Sequence, residues 1–293
     1  MPAGLQRSDF RFFHRLRVRW AEVDMQKIVF NAHYLMYFDT AIADYWRALA
    51  LPYEAAMHQL EGDLFVVKAT VEFHASARID DRLDVAMKCS RIGNSSMVFT
   101  GAIFRDEQHL ISGDIVYVFA DPVTQTSRTV PAALREVLQG YEAGEAMLQV
   151  QTGDWSSLGE DARAVRQAVF VEEQRIPHEL EADAEDAGAV HVVARNRLGM
   201  PVGTGRLLPA NANGDAQVGR VAVDRVLRGG QIGRTVMQAL EDAAKARGDR
   251  RIVLHAQRSA MPFYARLGYQ RVGEPFEEAG IPHQEMVKSL QPS

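Results

Sequence analysis

The sequence predicts two α+β domains on one chain, and a different pattern supports each domain. In the first half, one helix with a continuous apolar face precedes four alternating runs rich in Val, Ile, Phe and Thr. This order predicts an antiparallel sheet around a central helix. In the second half, a strand-like run leads through a glycine-rich turn into a helical pattern. A chain of 293 residues, 47% hydrophobic and 24% charged, is long enough for two separate cores.

The apolar face of the first helix consists of Tyr34, Tyr37, Phe38, Ala41, Tyr45 and Leu49. Strands are predicted near residues 64–74, 83–90, 97–105 and 110–120, and a basic strand near residues 11–19 precedes the helix. A short helix is predicted from Pro131. Helical periodicity breaks between residues 139 and 147, so we place the boundary there and define domains of residues 1–143 and 144–293.

Candidate catalytic residues lie in the segment before the first helix. Residues 20–34 read Trp-Ala-Glu-Val-Asp-Met-Gln-Lys-Ile-Val-Phe-Asn-Ala-His-Tyr. With Val-Val-Lys-Ala-Thr-Val-Glu-Phe at 66–73 and Ile-Asp-Asp-Arg-Leu at 79–83, this segment resembles the hotdog-fold acyl-CoA thioesterases of the 4-hydroxybenzoyl-CoA and YbgC type. The resemblance covers roughly residues 12–135 and implies an acyl-CoA substrate.

In that family the aspartate before the helix attacks the thioester or activates water, which implies this role for Asp24. The amide at the helix start, here that of Asn31, polarises the thioester carbonyl. A helix N-terminus supplies fixed donors for a developing oxyanion, and a carboxylate supplies the base or nucleophile. This sequence departs from the family pattern at two positions. Family members often carry glycine at the position of Lys27 and histidine at the position of Asn31. The alternative is that Asp24 only caps a turn or the helix.

The most informative stretch of the second half is Arg228-Gly229-Gly230-Gln231-Ile232-Gly233. It follows the apolar run Val221-Ala222-Val223 and precedes a helical pattern over residues 232–246. Glycines allow close backbone approach, and the first amides of a helix are unpaired and attract anions. The stretch therefore predicts a pyrophosphate site, although an ordinary strand-to-helix turn explains the glycines equally well.

Context comes from residues 259–269, Ser-Ala-Met-Pro-Phe-Tyr-Ala-Arg-Leu-Gly-Tyr, which follow a predicted strand at 251–255. This segment resembles the second signature of the GNAT acetyltransferases. With residues 169–174, 205–207, 219–223 and 278–283, the combination resembles the ElaA-type branch over roughly residues 146–293. The resemblance implies a mixed central sheet flanked by helices, with acetyl-CoA as the acyl donor to an amine.

The resemblance also assigns individual residues. Val221, Ala222 and Val223 would lie along the acetyl carbonyl, and Arg228, Gly229, Gly230, Gln231, Ile232, Gly233 and Arg234 would hold the pyrophosphate. Tyr264 would protonate the leaving CoA thiolate, which suits a phenol near its normal pKa. Gln231 departs from the pattern, since a second glycine is usual there. The alternative for Tyr264 is an aromatic residue packed under the sheet.

The sequence gives a less specific prediction for the residues that bind and deprotonate the amine acceptor. The base for the amine is not identifiable among the options His255, Glu172 and Glu173. The acidic segment of residues 177–189, with Glu179, Glu181 and Asp183, is expected to line the acceptor site and to favour a cationic amine.

Composition excludes several other functions. A net charge of -5 argues against nucleic acid as a partner. Cys89 is the single cysteine, and the histidines lack metal-ligand spacing, so neither an intrachain disulfide nor a metal is expected. No apolar run approaches the roughly 20 residues of a membrane span, and we expect a cytoplasmic protein. A homo-oligomer, at least a dimer, is expected through the sheet edge of residues 1–135.

Three classes of function fit these patterns. The leading interpretation is a bifunctional enzyme that hydrolyses acyl-CoA thioesters in its first domain and transfers acetyl groups to an amine in its second. The second is an enzyme with one working site, in which the other domain binds CoA or assists assembly. The third is a CoA-ester sensor without turnover. Fold resemblance alone does not choose between them.

Overall fold

The computed structural model of the chain describes residues 4–178 and 183–290. It divides into two compact units, Met1–Met147 and Leu148–Ser293. Each unit has its own sheet.

The first unit contains a five-stranded antiparallel sheet. Its strands are β1 (Phe12–Arg17), β2 (Asp63–Phe73), β3 (Arg82–Ile92), β4 (Ser96–Arg105) and β5 (Gln108–Ala120). They lie in the order β1-β3-β4-β5-β2, which leaves β1 and β2 at the edges. Each predicted strand is confirmed to within a few residues, because half-buried alternation is a direct signal for this kind of sheet.

Three helices complete the first unit: α1 (Asn31–Ala48), α2 (Tyr53–Gln59) and α3 (Ala132–Glu142). Short 3-10 turns occupy Arg7–Asp9 and Trp20–Glu22. Helix α1 buries the whole predicted apolar face against the sheet. The sequence did not predict α2, which is only two turns long and therefore carries little periodicity.

Helix α1 approaches the sheet closely at one point. Gly101 and Gly113 lie opposite each other on β4 and β5, and both face the ring of Phe38. A Cβ added at Gly101 would lie 2.5 Å from that ring, and one added at Gly113 would lie 3.0 Å from it. The paired glycines therefore form the slot into which the helix packs.

Helix α3 ends at Glu142, inside the range of residues 139–147 where a break in helical periodicity is predicted. Gly140 is buried, and a Cβ there would meet Glu145 Oε2 at 2.7 Å. The glycine allows the chain to fold back after the helix instead of ending it. Glu145 N donates to the Gly140 carbonyl at 2.9 Å and closes that turn.

The second unit contains an eight-stranded mixed sheet. Its strands are β6 (Leu148–Gly153), β7 (Val190–Asn196), β8 (Pro201–Leu207), β9 (Asp215–Val223), β10 (Arg251–Gln257), β11 (Gln270–Arg271), β12 (Phe276–Glu278) and β13 (Ile281–Ser289). The order is β11-β13-β10-β9-β8-β7-β6, with β12 beside β13. Only β9 and β10 run parallel to each other.

Helices cover both faces of this sheet. They are α4 (Trp155–Arg166), α5 (Ile232–Arg247) and α6 (Met261–Arg266), with a π-helical continuation of α4 over Gln167–Glu173. Short 3-10 turns lie at Ala184–Gly188, Arg225–Leu227 and Arg258–Ala260. Gly203 and Gly205 of β8 admit side chains of α5 on one face, whereas Val193 of β7 packs on α4 at the other. The predicted fold class, two α+β units with these two kinds of sheet, is confirmed.

Candidate active sites

Asp24 lies in a tight loop that leads into α1. Antiparallel bridging of Val23 to Val29 closes this loop at its base, and Asp24 N donates to the Ile28 carbonyl at 2.9 Å. Gln26 N donates to Asp24 Oδ1 at 2.8 Å, so the turn-capping alternative describes a real contact. The second carboxylate oxygen has no hydrogen-bond partner among the described residues. One oxygen thus holds the loop and the other is available.

Lys27 occupies the left-handed region, with φ at 62°. This conformation favours glycine, and other residues adopt it at a cost of about 1–2 kcal/mol. The usual family preference for glycine therefore has a backbone reason. Lys27 adopts a conformation that glycine favours, and its amide donates to the Asp24 carbonyl at 2.9 Å.

Asn31 is the first residue of α1, and Phe30 is the residue that precedes the helix. Within the described part of the chain, the Asn31 amide has no hydrogen-bond acceptor. The first amides of a helix have no partner inside the helix and lie at the positive end of its dipole. Because the donor is the backbone amide, asparagine in place of histidine does not remove it.

Glu22 is a buried carboxylate that the sequence analysis did not single out. It accepts a hydrogen bond from Tyr37 of α1 at 2.6 Å and pairs with Arg19, while its carbonyl accepts from Phe30 N at 2.9 Å. Burial alone would raise the pKa of Glu22, but hydrogen bonds from Arg19 and Tyr37 outweigh burial and lower it. Glu22 therefore ties the Asp24 loop to the start of α1.

Large apolar side chains around Asp24 are open to solvent. Trp20 is 82% exposed, Met25 is fully exposed, and Phe30 is also exposed. These side chains leave apolar surface exposed on both sides of Asp24 in the sequence.

The second candidate site lies where two parallel strands separate. Pairing between β9 and β10 ends at Val218 and Leu254. Beyond that point β9 pairs only with β8, and β10 pairs only with β13. The polar backbone edges of residues 219–223 and 255–257 therefore face a cleft instead of each other.

A β-bulge on β9 shapes one wall of this cleft. Thr204 pairs with Ala222 and Arg206 with Gly219, so two residues of β9, Arg220 and Val221, lie opposite one residue of β8. Arg220 has φ at 52°, in the left-handed region. The bulge interrupts the regular pairing of β9 with β8 at Arg220 and Val221.

A cavity of about 1050 Å³ fills the cleft. Of the predicted site residues in this unit, it is lined by Val221, Ala222, Val223, Arg228, Gly229, Gly230, Gln231, Gly233, Arg234 and Tyr264. The structure thus brings together two motifs that are about thirty residues apart in sequence. Ile232 does not line the cavity, because its side chain is buried against Gly203 in the core.

Arg228 does not present a free cation to the cavity. Its Nη1 and Nη2 donate to the two carboxylate oxygens of Glu173 at 2.6 and 2.5 Å, and its Nε donates to the Val223 carbonyl at 3.1 Å. The hydrogen bond from Arg228 lowers the pKa of Glu173. This ion pair braces the turn and makes Glu173 a poor proton acceptor.

The glycine turn has the geometry that close approach requires. Gly229 has φ at 87°, and Gln231 immediately precedes helix α5. A Cβ at Gly233 would meet the Phe263 ring at 3.2 Å, so this glycine serves helix packing. Side-chain charge comes from Arg234 and Arg266, which line the cavity and have no ion pair among the described residues. Sequence reasoning missed Arg266.

Tyr264 lies on α6 and lines the same cavity. Its hydroxyl has no hydrogen-bond partner among the described residues. Arg206 Nε is the only side-chain polar atom of those residues that is both fully buried and without a partner, so the Tyr264 hydroxyl is not fully buried. The phenol oxygen is therefore reachable from the cavity. Burial raises the pKa of Tyr264 to about 12, so the expectation of a near-normal value is wrong and the phenol keeps its proton at neutral pH.

The acidic segment is only partly described, since Glu179 and Glu181 lie outside the described residues. Asp183 is bound by Arg206 at 2.5 and 2.7 Å and by Arg220 at 2.9 Å. The hydrogen bond from Arg206 lowers the pKa of Asp183. Asp183 is thus already paired with cations, which removes it from the predicted attraction of a cationic amine.

Neither unit offers a metal centre or a membrane span within residues 4–178 and 183–290. No three His, Cys, Asp or Glu side chains in these ranges are grouped to hold a metal ion. No helix there combines the length and apolarity needed to cross a membrane.

Comparison with known proteins assigns each unit separately. Residues 26–112 match the thioesterase superfamily, and residues 156–290 match the acetyltransferase (GNAT) domain. The chain is 30% identical over 121 residues to the acyl-CoA thioester hydrolase YbgC of Escherichia coli, covering 41% of this chain and 89% of that protein. It is 39% identical over 129 residues to the uncharacterized N-acetyltransferase YjcF of Bacillus subtilis, covering 44% of this chain and 90% of that protein.

Among solved structures, Escherichia coli ElaA is 28% identical, covers 48% of this chain and 99% of its own, and gives a TM-score of 0.44. The chain covers most of the length of both YbgC and YjcF. The first unit therefore belongs to the thioesterase superfamily and the second to the GNAT acetyltransferases.

Proposed function

We propose that the chain is a bifunctional CoA-ester enzyme, with an acyl-CoA thioesterase domain of residues 1–143 and an N-acetyltransferase domain of residues 144–293. The observation that carries the acetyltransferase half is the single cavity that joins the bulged strand β9, the glycine turn and Tyr264. The thioesterase half is supported by the loop between Asp24 and the first amide of α1. Among the described residues, one carboxylate oxygen of Asp24 and the Asn31 amide have no hydrogen-bond partner.

In the second domain, acetyl-CoA would lie along residues 221–223, with its pyrophosphate over the amides of residues 229–234. The unpaired cations Arg234 and Arg266 add positive charge for its phosphates. An amine attacks the acetyl carbonyl, the C–S bond breaks, and Tyr264 donates its phenolic proton to the CoA thiolate.

The raised pKa of Tyr264 constrains the timing of that step. Proton transfer from a phenol with a pKa of about 12 to a thiolate with an ordinary pKa of about 8.5 costs about 5 kcal/mol if it occurs alone. The attacking nitrogen must lose a proton as the amide forms, and delivery of that proton to the phenolate offsets this cost. We therefore expect thiolate protonation to be coupled to loss of the amine proton.

Acetyl transfer is tested with acetyl-CoA and a panel of ethanolamine, lysine, spermidine and glucosamine, with N-acetyl product measured by mass spectrometry. Tyr264→Phe is expected to lower the rate about 10²–10⁴-fold without weakening acetyl-CoA binding measured by calorimetry. Tyr269→Phe is the matched control, because Tyr269 bonds to Glu241 in the core and does not line the cavity. Equal rates for Tyr264→Phe and wild type would reject the proposal.

In the first domain, the thioester carbonyl would accept a hydrogen bond from the Asn31 amide while Asp24 attacks the carbonyl carbon or activates water. Hydrolysis adds one water across the C–S bond and releases a carboxylic acid and CoA. The hydrogen bond from the amide stabilises the transition state most, when negative charge develops on the carbonyl oxygen. The amide needs no reorientation, because the helix fixes its direction before the reaction.

The amide can be removed without losing the helix. Asn31→Pro deletes the donor at the first helical position, where proline is well tolerated. Phe30, with φ at -62° and ψ at 133°, already has the extended conformation that precedes a proline. We expect Asn31→Pro to lower thiol release from acyl-CoA about 10²–10³-fold and Asn31→Ala to preserve it. Similar activity in both variants would reject a role for this amide.

We also propose that the first domain pairs with a second copy. Strand β2 is an unpaired edge, and its Val66, Val67 and Phe73 are 52%, 60% and 57% exposed. Exposed apolar edge strands pair with another chain unless charge blocks them. Val67→Lys is expected to weaken self-association in sedimentation experiments, and a monomeric wild-type protein would contradict the proposal.

A further inference from the structure

A histidine and a carboxylate meet at the wall of the second domain's cavity. His255 on β10 and Glu278 on β12 both line this cavity, as Tyr264 does. His255 Nδ1 lies 3.1 Å from Glu278 Oε2. The ring of Phe276 packs edge-on against His255 with centroids 4.8 Å apart, so the imidazole is held by one polar and one apolar contact.

Sheet register places these groups on one face. Gln257 of β10 lies opposite His283 of β13, and His283 lies opposite Phe276 of β12. Residues opposite each other in antiparallel strands point to the same side, and so do residues two apart on one strand. His255, two residues from Gln257, therefore shares its face with Glu278, two residues from Phe276.

This geometry determines which imidazole nitrogen is free. An ionised carboxylate only accepts hydrogen bonds, so Nδ1 carries the hydrogen that is donated to Glu278. Nε2 then has a lone pair, and no described residue donates to it. A carboxylate that orients an imidazole in this way prepares the other nitrogen to accept a proton.

We propose that His255 is the catalytic base of acetyl transfer and that Glu278 is its positioning residue. The inference rests on the acetyltransferase activity proposed above. A protonated amine transfers one proton to His255 Nε2, and its nitrogen then forms the C–N bond while the C–S bond breaks. The second nitrogen proton replaces the one that Tyr264 gives to the thiolate. The products are an N-acetyl amine, CoA thiol and one proton on His255, which is released to solvent.

Other titratable groups near the cavity fit this role less well. Glu173 is held in its ion pair with Arg228. His283 shares the face, but its Nδ1 bonds to the Ile281 carbonyl at 2.7 Å, so no carboxylate orients it. Glu278 of β12 contacts His255, and His283 and Glu285 of β13 share its face. A second cavity beside His255 is also lined by Glu185, Asp215 and Arg251.

The test compares two acceptor amines that differ in their need for a base. Ethanolamine is largely protonated at neutral pH, whereas hydroxylamine is largely neutral and already nucleophilic. With ethanolamine, His255→Gln is expected to lower kcat/KM about 10²–10³-fold and Glu278→Gln about tenfold. With hydroxylamine, both variants are expected to stay within about threefold of wild type, a rescue that loss of structure would not produce.

Glu285→Gln is the matched control, because Glu285 lies opposite His255 in register but does not line this cavity. Equal losses with both amines would overturn the role of His255, as would a loss confined to His283→Gln. If Tyr264→Phe is inactive while His255→Gln keeps full activity with ethanolamine, the base assignment fails and the acetyltransferase proposal stands. If wild type acetylates neither amine, both proposals fail.

Discussion

The two candidate sites differ in how much of the site a single unit encloses. In the second unit, strands β9 and β10 diverge around a cavity of about 1050 Å³, and α5 and α6 bring the glycine turn and Tyr264 to its wall. In the first unit, Asp24 lies on a loop surrounded by exposed apolar side chains. A diverging pair of strands encloses a ligand within one domain. The Asp24 loop instead presents apolar side chains to solvent.

The units also differ in how polar groups support them. The second unit contains a buried ion network in which Asp186 binds Arg166 at 2.9 and 3.0 Å and Arg206 at 2.8 Å. The network anchors the 3-10 turn of residues 184–188 to strand β8. In the first unit the buried carboxylate of Glu22 pairs with the exposed side chain of Arg19, and α1 makes a close apolar contact with β4 and β5. This contrast yields predictions that separate the two units.

Asp186→Asn is expected to have the largest effect on stability. Removing one charge from a buried ion pair leaves its partners uncompensated and costs about 3–5 kcal/mol. Chemical denaturation, followed by the fluorescence of Trp155 in a Trp20→Phe/Trp46→Phe background, reports on the second unit alone. The exposed Glu185→Gln, which also touches Arg206, is the control and is expected to cost far less. Equal losses would mean that the network does not support the fold.

Acid should lower the free energy of unfolding of the second unit by protonating Asp186. Burial alone would raise the pKa of Asp186, but hydrogen bonds from Arg166 and Arg206 outweigh it and lower the pKa. Because the folded pKa is below the unfolded value of about 3.9, this stabilisation is present above that value and is lost as the pH falls below it. The free energy of unfolding, measured with the Trp155 probe, should fall below pH about 4 and should fall less in Asp186→Asn. A parallel decline would contradict this origin.

Gly101→Ala tests the contact that holds the first unit. The new Cβ would lie 2.5 Å from the Phe38 ring, and overpacking a core of this kind costs about 1–3 kcal/mol. Thermal unfolding followed at Trp46 measures the loss. Gly4→Ala is the control in the same unit, because its nearest neighbour would lie at 3.8 Å. A stable Gly101→Ala variant would show that the helix shifts without penalty.

Lys27→Gly should have the smallest effect and bears on whether the first site is intact. Glycine relieves the left-handed conformation at φ 62°, but it also increases the entropy of the unfolded chain, so the net change should stay within about 1 kcal/mol. Thiol release from acyl-CoA should persist in this variant. Lys27→Val, whose branched side chain resists this conformation, should lose both stability and activity. Equal activity in the glycine and valine variants would show that the loop conformation at residue 27 does not affect thiol release.

Much of the fold could be predicted from the sequence because its elements are periodic. The apolar face of α1 and the four strands that follow it were recognisable, since half-buried elements alternate between apolar and polar residues. The end of α3 could be placed only within residues 139–147, because Gly140 looks like a helix end but is a packing position against Glu145. The π-helical turn after α4 was also missed, since its spacing imitates an ordinary helix.

The sites were predictable only where local sequence encodes them. The glycine turn and Tyr264 have local signatures, and the topology brings them to one cavity. His255 and Glu278 meet through strand register across β13, which no local pattern encodes. For the same reason the sequence did not reveal that Arg228 is paired with Glu173, because 55 residues separate them. The raised pKa of Tyr264 could not be predicted from the sequence, because it results from the burial of the side chain.

The most direct test of two independent sites is free thiol release from short, medium, long and aromatic acyl-CoAs without any amine, in wild type and Asp24→Asn. Asparagine keeps the oxygen that accepts from Gln26 N, so the loop should survive. The account predicts turnover with at least one acyl-CoA, a loss of about 100-fold or more in Asp24→Asn, and no loss in Tyr264→Phe. Thiol release that is absent in wild type, or unchanged in Asp24→Asn, would contradict it.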